Sequence, residues 1–251
     1  MANHITITRD QITKKSDPAG ILGDLEISVA KEIVDIAGKD NFPDAVTSLG
    51  IVGSGATVTG IECDQDKWTR LGGETYALSF HLRTDQEVDP HLILKASTSM
   101  LPGPYTDDII KRRKHIESHG VRVPKLWGEY NAMVLDEFIE RDIHDAAAID
   151  MGKTLEQSAK IFGVLSGLGY KPIARGIMRD LRLDDAGELV MIDFGSDLGA
   201  AEAANAGNDL WEIFTRDAAE TLKIDSSSVM EYKAAYEQSR DQTLENDHME
   251  P

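Results

Sequence analysis

Hydrophobic and polar positions change their period several times along the chain. Leu25, Val29, Ile33 and Ile36 recur every three to four residues, which predicts a helix capped by Asp24 and stopped by Gly38. From about residue 51 the period falls to two. SLGIVGSGATVTGIECD reads as strands with a turn, Tyr76–Leu82 alternates cleanly, and HLILKAS (His91–Ser97) is a further strand beyond the polar turn RTDQEVDP. YTDDIIKRRKHIESHG predicts a helix from a Thr106 cap to a Gly120 stop. VRVPKLWGEY and NAMVLDEFIE predict two more strands of the same sheet.

Beyond Arg141 the helical period dominates. Leu155, Ala159, Phe162 and Leu165 fall on one face of TLEQSAKIFGVLSGLG, and NDLWEIFTRDAAETL and SVMEYKAAYEQSRDQ are amphipathic. One hairpin interrupts them, LRL–DDAG–ELVMI, leading into Asp193-Phe194-Gly195. The expected class is α+β in two lobes. Residues 1–50 form an N-terminal helical extension, 51–139 a sheet-rich lobe and 140–244 a helical lobe carrying the hairpin. Residues 245–251 form a disordered tail.

Length and charge narrow the function classes. The chain has 251 residues, enough for one large domain or two small lobes. With 26 Lys and Arg against 44 Asp and Glu, its formal charge is −18. Such a surface repels a phosphate backbone, so nucleic acid is not the expected partner, and a cationic partner suits it better. Cys63 is the single cysteine, which excludes an internal disulfide and thiolate–zinc sites. The N-terminus has no apolar signal core and no apolar run approaches the roughly 18 residues of a membrane span. A cytoplasmic location without membrane contact is expected, with secretion as an effector the alternative.

Three pieces carry candidate chemistry. Gly72-Gly73 lies between strand-like segments, Lys95 lies near the end of an apolar strand, and Asp193-Phe194-Gly195 closes the hairpin. Gly72 to Lys95 is 23 residues, and Lys95 to the acidic pair Asp136-Glu137 begins at 41. Gly120-Val121-Arg122-Val123-Pro124 precedes the two strands that end there. This order and spacing resembles the protein-kinase-like fold, in particular its aminoglycoside and choline phosphotransferase branch and the minimal kinases of bacterial effectors. The resemblance spans about residues 68–222.

The resemblance implies an antiparallel-sheet N-lobe with one helix and a small helical C-lobe containing a β-hairpin. It implies ATP and Mg²⁺ as cofactors. Gly72 and Gly73, with the backbone of Glu74 and Thr75, would cover the phosphates, and Lys95 would orient them. Glu117 is the expected partner of Lys95. Glu137, Phe138 and Ile139 would meet the adenine as a hinge. GSGATVTG is the rival glycine loop, but Gly53 lies 42 residues before Lys95.

The catalytic loop departs from the family. Counting thirteen back from Asp193 gives Asp180 where the family has its metal-binding Asn, and five more gives Arg175 where it has the catalytic Asp. In this register Asp193 and Asp180 hold the metal, and Arg175 stands in the place of the base. A second register reads Met178–Leu181 as the catalytic motif, with Asp180 as base and Asp185 as metal ligand.

The expected activity is transfer of the ATP γ-phosphoryl group to a hydroxyl acceptor, on a protein or a hydroxylated small molecule. The alternatives are a pseudokinase that works by docking a partner, nucleotidyl transfer on the same fold, and an unrelated α+β interaction protein. Lys111–Lys114 reads as a solvated helix face, with a docking patch as the alternative. His115, His119, His144 and His248 show no ligand set, Trp127 and Trp211 read as core anchors, and Asp209 as a brace for the catalytic loop.

Overall fold

The computed structural model describes residues 58–63, 69–71, 75–85, 91–97, 104–130, 133–172, 177–195, 198–200 and 210–247. The predicted helix at 24–38, Gly53, Gly72, Gly73, Glu74, Arg175, Asp209 and His248 lie outside them. The chain is mixed α+β and divides into two units. One comprises residues 1–107 with 125–138, the other 108–124 with 139–251.

The first unit is built on an antiparallel sheet of β1 (Val58–Cys63), β2 (Thr69–Leu71), β3 (Thr75–Thr84), β4 (His91–Ser97), β5 (Leu126–Tyr130) and β6 (Met133–Glu137). The order is β1-β3-β4-β6-β5, and β2 also pairs with β3. The long β3 accommodates both partners: Cys63 stands opposite Phe80, and Leu71 opposite Thr75. β4 is interior, with Lys95 opposite Ala77 on one side and Val134 on the other. The expected strand through Val121–Lys125 is shorter than the pattern suggested and begins only at Leu126.

Helix α1 (Pro104–Ser118) begins two residues before the expected Thr106 cap, with a proline in its first turn, where a missing N–H costs nothing. Its predicted stop holds: Gly120, at φ +85°, donates its N–H to the Glu117 carbonyl at 2.9 Å. The sequence pattern placed this helix in the sheet lobe. From Asp108 onward it groups instead with the second unit.

In the second unit, β7 (Arg141–Asp142) leads into α2 (Ile143–Ile149), where Asp142 and Asp145 form a reciprocal capping box. Asp150 caps α3 (Met151–Gly167) by accepting the Lys153 N–H at 2.9 Å. β8 (Tyr170–Pro172), a 3₁₀ turn (Ile177–Asp180), β9 (Leu181–Leu183), β10 (Leu189–Met191) and β11 (Leu198–Ala200) follow. β10, β9 and β7 form one small antiparallel sheet, and β8 pairs with β11. Helices α4 (Leu210–Leu222), α5 (Ser226–Val229) and α6 (Lys233–Asp247) complete the unit, with a 3₁₀ turn at Met230–Tyr232.

The four residues predicted on one face of α3 are all buried, in a core they share with Met178, Leu181, Phe214 and Tyr236. Trp211 is also in this core, as expected. Gly163 and Gly167 let α6 approach closely, since a Cβ on Gly163 would stand 2.3 Å from the Tyr236 carbonyl. The helix α6 continues to Asp247, so the predicted tail at 245–251 begins too early. The buried Thr243, whose hydroxyl donates to the Ser239 carbonyl at 2.8 Å, anchors this last turn.

Candidate functional site

Candidate chemistry is found in each unit. In the first, Lys95 projects from β4 on the same face as Ile93, because side chains alternate along a strand. Ile93 stands opposite Asp136 on β6, so Lys95 and Asp136 are diagonal neighbours on that face. The ammonium lies 3.5 Å from Asp136 Oδ2, with Lys95 14% and Asp136 2% exposed at the side chain. Asp136 is therefore an acid beside the lysine. Glu117, the partner that the resemblance implied, is exposed near the end of α1. Two signals favoured Asp136: an acid on an apolar strand, and a place near the lysine once the strands pair antiparallel.

The residues expected as a hinge follow Asp136 directly. The Glu137 N–H donates to the Lys125 carbonyl at 2.9 Å and the Phe138 N–H to the His91 carbonyl at 3.0 Å. Both donors are thus engaged by neighbouring chain. The Glu137 carboxylate also accepts the Lys125 N–H at 3.2 Å. Trp127, expected in the core, is half-buried and carries the Lys125 ammonium 3.6 Å above its ring. Thr75 opens β3, opposite Ser97.

In the second unit the hairpin of β9 and β10 holds the acidic pair. Leu181 pairs with Met191 and Leu183 with Leu189, so Asp184–Glu188 form the turn. Gly187 occupies a φ of +76° there, a left-handed value that explains a glycine at the end of DDAG. At the open end, the Ile192 N–H donates to the Asp180 carbonyl at 2.9 Å. That bond brings the main chain of Asp180 beside the residue preceding Asp193. Asp185 stands at the opposite, turn end, fully exposed. The register that makes Asp185 a metal ligand is therefore overturned, because three residue pairs of ladder separate it from Asp193.

The half-buried Asp193 accepts the Gly195 N–H on Oδ1 at 2.9 Å, a local turn that leaves its second oxygen for another partner. Phe194 is buried. Helix α1 grips this segment. Arg112 donates to the carbonyl of Phe194 at 2.7 Å and to that of Gly195. Arg113, itself buried, lies 5.8 Å from the centroid of the Phe194 ring and donates to the Pro124 carbonyl. The KRRK stretch is thus not a uniformly solvated face: Lys111 and Lys114 are exposed, and the two arginines between them are engaged.

Asp217 on α4 accepts the Met178 N–H at 2.9 Å and so braces the 3₁₀ turn that carries Asp180. Burial pushes its carboxyl above the ordinary range, opposed by that hydrogen bond and by the positive charge of Arg179. Sequence reasoning missed this residue and named Asp209 instead. The available signal was an acid at a core position of an amphipathic helix, in line with Leu210, Phe214 and Thr221. His115 meets the Tyr170 hydroxyl through Nδ1 at 2.9 Å.

Among the described residues no group of three or more His, Cys, Asp or Glu side chains is placed to hold a metal ion. Two carboxylates at one hairpin end still suit Mg²⁺, which keeps several waters and takes one or two carboxylates together with substrate phosphates. The donor set therefore fits an ion delivered with a nucleotide better than one held by protein alone. Among the described residues no helix is long and apolar enough to cross a membrane. No family model and no curated protein sequence matches the chain.

Proposed function

We propose that the chain is a kinase-like phosphotransferase that uses ATP and Mg²⁺. The observation that carries this reading is the hydrogen bond from Ile192 to Asp180, which puts Asp180 and Asp193 at one end of one hairpin. The order of glycine pair, strand lysine and Asp-Phe-Gly supports it further.

In this reading Asp180 and Asp193 hold Mg²⁺, which supplies positive charge to the transferring phosphoryl group. Lys95, held by Asp136, orients the nucleotide phosphates. Gly72, Gly73, Glu74 and Thr75 cover them, and the segment Glu137–Ile139 receives the adenine. The bond between the γ-phosphorus and its bridging oxygen breaks as a new bond forms to the acceptor oxygen. ADP leaves, and the acceptor proton passes to solvent. Phosphoryl transfer of this kind depends on position and charge more than on a protein base, so Arg175 in the place of the catalytic Asp is compatible with turnover. The charge of −18 favours a cationic acceptor.

The test is ADP formation from ATP and Mg²⁺, with intact-mass spectrometry of the chain, beside Asp193→Asn. ADP released by the wild type alone supports phosphoryl transfer, whereas pyrophosphate released with a gain of the AMP mass marks nucleotidyl transfer. Equal ADP in both proteins overturns the assignment. Arg175 also favours a second reading, a module that binds nucleotide without transfer. Tight Mg²⁺·ATP binding with neither ADP nor pyrophosphate formed identifies that case.

A further inference from the structure

We propose that Arg112 is a positioning residue: from helix α1 it holds the Asp193-Phe194-Gly195 turn by two main-chain carbonyls and so sets the carboxylate of Asp193. The proposal rests on the reading of Asp193 as a metal ligand, and it adds a device that the sequence motif does not contain.

The guanidinium reaches residues 82 and 83 positions away, and both of its acceptors belong to the turn. Both bonds leave one nitrogen, Nη1, so a single amino group of the guanidinium bridges the two carbonyls. The turn has one internal tie, the Gly195 N–H on Asp193 Oδ1. With the Phe194 and Gly195 carbonyls fixed from outside, that tie holds Asp193 in one orientation, with its second oxygen available. Without Arg112 the carbonyls turn to water and the carboxylate loses its frame. Such outer partners commonly decide how well a first ligand works.

The segment that follows the helix is itself pinned to the hairpin. The Met191 N–H donates to the Arg122 carbonyl at 2.9 Å, and Arg122 Nε lies 2.7 Å from Asp184 Oδ2. Arg113 packs on Phe194 from the same helix. Arg113 is buried, so its loss would disturb the fold, whereas Arg112 is half-buried and can be varied with less effect on the core.

The experiment compares wild type, Arg112→Gln, Arg112→Lys and Asp193→Asn in the whole chain. One arm measures amide hydrogen exchange at Gly195. The other measures Mn²⁺ bound in the presence of ATP, by its paramagnetic resonance. Arg112→Gln is expected to speed Gly195 exchange about tenfold through local opening, with the melting transition still cooperative. It is expected to weaken Mn²⁺·ATP binding by about 10- to 100-fold, as loss of an outer partner does. Arg112→Lys, which keeps a cationic donor on a side chain of different shape, is expected to fall between. Wild-type exchange in Arg112→Gln overturns the clamp whatever the metal does. Faster exchange with unchanged Mn²⁺ binding overturns the positioning role. If wild type binds no Mn²⁺ in a manner sensitive to Asp193→Asn, the metal reading fails, and faster exchange in Arg112→Gln still upholds the clamp.

Discussion

The Asp217 carboxylate accepts the Met178 N–H at 2.9 Å, across 39 residues of chain and inside the core. An acid buried in this way works as a structural acceptor for the turn before Asp180. Asp217→Ala leaves the Met178 N–H without its partner and is expected to cost about 1–3 kcal/mol in urea unfolding. Asp217→Asn retains an acceptor oxygen and is expected to cost less.

The same residue makes a pH prediction. Its folded-state carboxyl titrates above the unfolded value of 3.8, so the native state holds this proton more tightly. The associated stability is complete below pH 3.8 and is lost as pH rises through the higher folded value. The stability of wild type relative to Asp217→Asn is therefore expected to fall across that window. Paired urea titrations through it check the sign, and a rise with pH refutes the assignment.

The Lys95–Asp136 pair is asymmetric. Asp136 is the more deeply buried partner, so Lys95→Met removes a counter-ion from a charge with little access to water. Asp136→Asn removes one from an ammonium that keeps some. Breaking a fully buried pair costs about 3–5 kcal/mol, and partial exposure of Lys95 reduces that. Lys95→Met is expected to approach about 3 kcal/mol and Asp136→Asn to lie nearer about 1–2 kcal/mol. Thermal unfolding of both variants decides the order.

Two glycines of α3 separate packing from propensity. Ala is the better helix former by about 1 kcal/mol, yet a Cβ at Gly163 would meet the Tyr236 carbonyl at 2.3 Å. Gly163→Ala is expected to destabilise by about 1–3 kcal/mol through overpacking. At Gly152 the nearest atom is the Tyr232 hydroxyl at 3.4 Å, the end of a movable side chain. Gly152→Ala is expected to be neutral or to stabilise by up to about 1 kcal/mol. The denaturant midpoint should fall in Gly163→Ala and hold or rise in Gly152→Ala.

Asp180 and Asp185 offer a test of register. Asp180→Asn is expected to weaken Mg²⁺·ATP binding by about tenfold or more, and Asp185→Asn to leave it unchanged. Calorimetric titration of both variants measures this. Loss in Asp185→Asn alone would restore the rejected register.

The strands and the long helices were legible because their periods are strong. The spacing of Leu155, Ala159, Phe162 and Leu165 assigns them to one helix face without knowledge of what covers it, and the DDAG turn announces its hairpin. Features that depend on distant partners were not legible. Arg112 and Arg113 looked like surface charge because nothing local shows that Phe194, Gly195 and Pro124 will lie against them. Asp217 was overlooked because a buried acid is recognised only with the N–H it serves. The pairing of Lys95 with Asp136 required the β4–β6 register, which spacing alone does not set. The short β7, β8 and β11 were missed because two or three residues carry no period.

The proposed activity rests most directly on metal-dependent nucleotide binding. Equilibrium titration of the chain with ATP, with and without Mg²⁺, should be run beside Asp193→Asn and Lys95→Ala. The proposed activity predicts binding that requires Mg²⁺, is lost in Asp193→Asn and is weakened in Lys95→Ala. At a hundredfold excess over the dissociation constant, Mg²⁺·ATP should raise wild-type stability by about 2.7 kcal/mol. Absence of binding in the wild type, or binding indifferent to both Mg²⁺ and Asp193, would contradict it.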